Sequence, residues 1–183
     1  MRIRNVAFLL ACAGMFTLFF GCAPQAPAPP SGPAAAAAGQ VHGNLVQVMR
    51  GILYPASNVV FASQDVNPAD VKPADPDPAT SPNPLTSAYG QWQAVENAGI
   101  ALSEAANLLT IPRKCMNGKD APVQNEDWRM WVQGLRDAGM TVYKAAQSKN
   151  QDNILAAAYT MTTACANCHD KYREKENLLD RCM

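Results

Sequence analysis

The chain has 183 residues, 48% hydrophobic, 16% charged and 7% aromatic, a balance too apolar for an extended disordered polymer and too polar for a protein of many membrane spans. Fifteen Lys and Arg balance fifteen Asp and Glu, which leaves no basic surplus to neutralise phosphates, so nucleic acid is not an expected partner. Of fourteen prolines, five lie between Pro24 and Pro33 and six between Pro68 and Pro84, and each cluster marks a connection.

At the N-terminus, Arg2 and Arg4 precede an apolar run from Val6 to Phe20. The run is shorter than the ~20 residues that span a bilayer, so residues 1–21 read as an export signal. Leu18-Phe19-Phe20-Gly21-Cys22 resembles a bacterial lipoprotein cleavage box, which makes Cys22 the expected lipidated residue and gives the mature chain a membrane anchor. Phe20 is bulkier than the residue usual there, and simple cleavage further along is the alternative. Cys12 is discarded on either reading, and loss of Arg2 and Arg4 leaves thirteen basic and fifteen acidic side chains. Residues 22–39 are an Ala/Pro-rich tether with nothing to bury in a core. The folded unit is expected over 40–183, long enough for one hydrophobic core.

Four stretches in that unit carry one apolar face each. Leu45, Met49, Ile52, Ala56 and Val59 follow helical spacing, with Pro55 expected to kink the helix by removing one backbone bond and crowding Gly51. From Asp65 to Thr86 four Asp and six Pro show no periodicity, and this long loop is expected to be the least defined part. Trp92, Val95, Gly99, Leu102, Ala106 and Leu109 form the second face, between Ser87 and Pro112. Trp128, Trp131, Leu135, Ala138 and Val142 form the third, with Asn125 as N-cap and Glu126 and Asp127 suited to the first turn. Ile154, Ala158, Met161, Cys165, Cys168 and Tyr172 form the fourth. With no strand-like alternation, the expected fold is all-α, an antiparallel four-helix bundle. Most of these positions are explained by core packing alone.

Cys165-Ala166-Asn167-Cys168-His169 is different. C-x-x-C-H is the attachment signal for c-type haem: two thiols one turn apart form thioethers to the vinyl groups, and the adjacent imidazole ligates the iron. A redox dithiol usually sits at a helix start beside a strand, structural zinc needs a fourth ligand that distant His42 would have to supply, and a Cys165–Cys168 disulfide encloses too short a loop to stabilise much. Export also favours haem c, which is attached outside the bacterial cytoplasm.

CANCHDKYR, Cys165 to Arg173, matches the C-x-x-C-H-x-x-Y-R ending of the class II c-type cytochromes, the cytochrome c prime group. The resemblance covers about residues 41–176, and VMRGILYPASNVVF and ALSEAANLL also look like stretches of bacterial members. It implies a four-helix bundle with one haem c near the C-terminal end of the last helix. Cys165 and Cys168 would hold the haem, His169 would be the proximal iron ligand, and Tyr172 and Arg173 would support the haem edge. Relatives are often dimers, so a homodimer is implied too.

On the distal side, up-down-up-down geometry puts the start of helix one beside the end of helix four, which brings Met49 to the haem as a second ligand. A His/Met pair raises the reduction potential. An open face and ligation by His42 are the alternatives. Arg50 is placed to pair with a propionate, against the plain reading of a solvated side chain. Cys115 and Cys182 follow helices ending at the same pole, and an exported protein can join them in a disulfide. The expected function is a periplasmic or membrane-anchored carrier of single electrons, not an enzyme, with a redox partner the sequence does not name. The alternative is five-coordinate iron that binds NO or CO behind a distal wall of Leu45, Met49, Ile52 and Leu53.

Overall fold

A capping box opens the first helix: Asn44 Oδ1 accepts from the Gln47 N–H at 3.0 Å, and Gln47 Oε1 accepts from the Asn44 N–H at 2.9 Å, so two end donors are satisfied at once. The computed structural model describes residues 40–74 and 77–182, within the compact unit Ala38–Met183. The export signal, Cys22 and the tether lie outside the described residues. Among the described residues the protein is all-helical, with an isolated bridge between Lys114 and Asp120 in place of strands. Four helices pack together: α1 (Leu45–Asp65), α2 (Gln91–Leu108), α3 (Glu126–Ser148) and α4 (Gln151–Tyr172).

Helix α1 meets its proline with a wider turn. Met49–Leu53 is π-helical, and the Tyr54 N–H reaches back five residues to the Met49 carbonyl just before Pro55, which has no N–H to give. Within this turn the inward position shifts by one, while Ala56 and Val59 after it stay buried as expected. Leu53 is buried where Ile52 was expected, and Ile52 is 39% exposed. By length and composition alone α1 could cross a membrane, yet here Leu45, Leu53 and Val60 sit in the protein core.

The proline-rich loop is better organised than its lack of period suggested. Three short 3-10 turns begin at Pro68, Pro78 and Pro84, each capped by the Asx side chain before it: Asn67, Asp77 and Asn83 accept from the N–H groups of Ala69, Ala79 and Leu85. Buried Leu85 then ties the loop to the core.

Helices α2 and α3 meet backbone to backbone. A Cβ on Gly99 would lie 2.6 Å from Tyr143 N, and one on Gly139 would lie 2.6 Å from Ser103 N. As α2 advances to Asn107 and Leu109, its partners step back to Arg136 and Trp128, so the pair runs antiparallel. Gly99→Val should push the helices apart and cost about 1–3 kcal/mol, read as a lower denaturant midpoint with unchanged slope.

Lys149, in the left-handed region at φ 51°, and Asn150 make a two-residue link from α3 to α4, where Asn150 accepts from the Asn153 N–H. The far end of α4 therefore returns to the start of α3. The Gln151 side chain donates to the Ser63 carbonyl at 2.8 Å, which fixes the beginning of α4 beside the end of α1. Trp128 Nε1–H donates to the Leu109 carbonyl at 2.8 Å inside the core. The start of α1, the end of α2, the start of α3 and the end of α4 thus meet at one pole.

Candidate functional site

That pole holds a cavity of about 580 Å³, within the size range of cofactor sites. Leu45, Val46, Met49 and Leu53 of α1 line one part, Leu102 and Leu109 of α2 another, and Trp128, Trp131, Val132 and Leu135 of α3 a third. The last turns of α4 complete it with Ala164, Cys165, Cys168, His169 and Tyr172. Spacings of three and four put both cysteines and the histidine on one face of that helix. Exposed Arg50, Tyr54 and Arg173 also border the cavity.

Seven residues singled out in the sequence therefore face one space: Met49, Arg50, Cys165, Cys168, His169, Tyr172 and Arg173. His42 and Ile52 do not line it, and Ile52 drops out of the expected distal wall because of the π turn. Met49 is the first residue of that turn and is half-buried.

Both thiols are free and partly buried. Burial pushes the Cys165 thiol up, with Arg173 pulling the other way. Burial, then Cys165 and Asp127, push the Cys168 thiol up to about 12. Reactive dithiols need an accessible thiolate, and these two stay protonated near neutrality. The His169 imidazole is held below its ordinary value by burial and by Arg173, against Glu174 and Asp170, so it is neutral at pH 7 with a lone pair available to a metal. Among the described residues no group of three or more His, Cys, Asp and Glu converges to hold a metal ion. Chemically, the cavity offers two covalent anchor points, a nitrogen donor from α4, a thioether sulfur from α1, and walls suited to a large apolar group.

The start of α3 grips the end of α4. Tyr172 donates its hydroxyl to Asp127 Oδ1 at 2.9 Å and accepts from Asn125 Nδ2 at 3.1 Å. Its ring meets Trp128 and Trp131 edge-on, with centroids 5.1 and 5.8 Å apart. Asp127 also accepts from the Trp128 N–H at 2.8 Å and pairs with Lys171; Lys171 above all holds its carboxyl below the usual range. Asn125 has the extended backbone of an N-cap but makes no side-chain capping bond, and its Nδ2 donates to Tyr172 instead. Sequence reasoning gave Asn125 and Asp127 a helix-start role only, and no local signal pointed to a partner more than forty residues away. Trp131, read as core, is half-buried and lines the cavity.

Cys115 and Cys182 form a disulfide with Cα atoms 4.8 Å apart and a sequence separation of 67. The tail it holds is also fixed by the Cys182 N–H to the Tyr172 carbonyl at 2.9 Å and by Asn117 Nδ2 to the Leu179 and Arg181 carbonyls. Cys182 itself lines the cavity. Replacing both cysteines by serine should cost about 4 kcal/mol, the scale for a loop of this length, measured by chemical denaturation of the oxidised parent and the variant.

No family model matches the chain, and no curated protein or solved structure is significantly similar to it. The functional reading therefore rests on the residues themselves.

Proposed function

We propose that the chain is an exported c-type cytochrome, an antiparallel four-helix bundle that carries single electrons on one haem c near the end of α4. The observation that carries this reading is the convergence of Cys165, Cys168, His169 and Met49 on one apolar cavity of about 580 Å³. The C-x-x-C-H order alone does not require a cavity beside it, and a structural or redox cysteine pair has no use for one.

Each residue then has a defined task. Cys165 and Cys168 would anchor the group through thioether bonds. His169, kept neutral by burial, would offer its imidazole to the iron, and Met49 would offer its sulfur. Trp128, Trp131, Leu102 and Leu135 keep water out. Arg50 and Arg173 offer guanidinium groups to propionates at the exposed border. When bound, haem c supplies a one-electron redox centre whose potential a His/Met pair in an apolar site raises. With both ligand positions filled, no site remains for substrate, so the chain is read as a carrier and not an enzyme. The gas-binding alternative has its own support: beside Met49, α1 lines the cavity with apolar Leu45, Val46 and Leu53 as well as Arg50, Tyr54 and Ser57, and the apolar part is a surface for NO or CO if the sulfur stands aside.

Expression beside a haem-attachment system tests the reading. Haem that stays with the chain on a denaturing gel is expected, and a colourless, haem-free protein under those conditions overturns it.

A further inference from the structure

We propose that the carboxylate of Asp127, opposed by the ammonium of Lys171, sets the reduction potential of the group held in the cavity. This deepens the cytochrome reading and rests on it. Asp127 stands directly behind the cavity wall: Tyr172 lines the cavity, and its hydroxyl ends on Asp127 Oδ1 at 2.9 Å. The carboxylate is also fixed in place. It accepts from the Trp128 N–H at 2.8 Å and from Lys171, and its side chain is only 23% exposed.

Reduction of a haem adds one electron and one negative charge to the cavity, with no proton or bond change required. A carboxylate held behind one wall opposes that added charge and lowers the potential, and a partly buried position screens it less than open water does. Lys171 has the opposite sign and lies over the Trp131 and Tyr172 rings at 5.7 and 5.6 Å. Its side chain is 54% exposed, so solvent weakens its effect. Glu174 pairs with Arg173 at a more exposed position, 48% for the glutamate, and is a poorer source of fixed field.

The two charges give opposite predictions, which separates this role from a mechanical clasp. Asp127→Asn keeps an oxygen able to accept from Tyr172 and from Trp128, so the fold should persist, as circular dichroism would check. In equilibrium with a one-electron mediator, the haem-loaded Asp127→Asn protein should favour the reduced form by about tenfold more than the parent, which is 59 mV for a one-electron couple. Lys171→Gln should move it the other way by a smaller factor. Absorption maxima should not change in either variant, because no ligand is touched. Shifts of the same sign, or no shift in Asp127→Asn, overturn the proposal while covalent haem on the gel leaves the cytochrome reading standing. Absence of covalent haem overturns both.

Discussion

Met49→Ala is expected to leave haem attached and to change the iron from low-spin to high-spin. Among the described residues of α1 that line the cavity, Met49 is the one with a sulfur or imidazole donor, the others with polar atoms being Arg50, Tyr54 and Ser57, so no comparable ligand from α1 takes its place. Carbon monoxide then binds where it had to compete. An internal ligand bound 99 times in 100 lowers the apparent CO affinity about 100-fold, and its removal restores that factor. Met49 is half-buried, so the truncation should also cost roughly 1–3 kcal/mol, below the range for a fully buried methionine. CO titration of the reduced variant measures the first effect and denaturant unfolding the second. An unchanged spectrum would remove Met49 from the ligand set, in favour of another ligand if it stays low-spin and of the gas-binding alternative if it is high-spin in both proteins.

Loss of both anchors should have the larger consequence for the protein as a whole. In Cys165→Ser/Cys168→Ser no thioether can form, so no haem should survive denaturation, while each single variant should keep one bond. The serine hydroxyls would then border the same apolar walls of Trp128, Val132 and Leu135 without the group that covers them. About 3 kcal/mol of lost stabilisation corresponds to a melting temperature about 10 °C lower for a domain of this size. Haem-stained gels and thermal unfolding of parent and double variant check both parts. Full retention of haem in the double variant would show that these cysteines are not its attachment points.

The helical class was legible because its signals are local and repeated. Trp92, Val95, Gly99, Leu102 and Ala106 keep one period along α2, and all are buried. The Gly99 position marked a face, but only the facing Gly139 reveals that two backbones touch there. In α1 the same kind of pattern failed at one residue: Ile52 fits a 3.6-residue period, but a π turn before Pro55 adds a residue and puts Leu53 inward. A period cannot announce its own interruption. The loop shows the reverse case, since Asn67-Pro68, Asp77-Pro78 and Asn83-Pro84 are local turn signals that a search for periodicity passes over.

The candidate site divides along the same line. Cys165, Cys168 and His169 share a helix face by spacing alone. The grip of Asp127 and Asn125 on Tyr172 depends on how α3 and α4 lie together, and neither residue type is unusual where it stands. Acidic residues in a first helical turn are common for reasons of the helix dipole, so the ordinary explanation of Asp127 concealed the second one.

The most direct measurement is the optical spectrum of the purified, dithionite-reduced protein before and after addition of CO. Covalently attached haem with a sharp low-spin spectrum that CO leaves unchanged is the result expected from His169 and Met49 together. A broad high-spin spectrum that CO shifts at once would contradict the electron-carrier account and leave a gas-binding haem protein in its place.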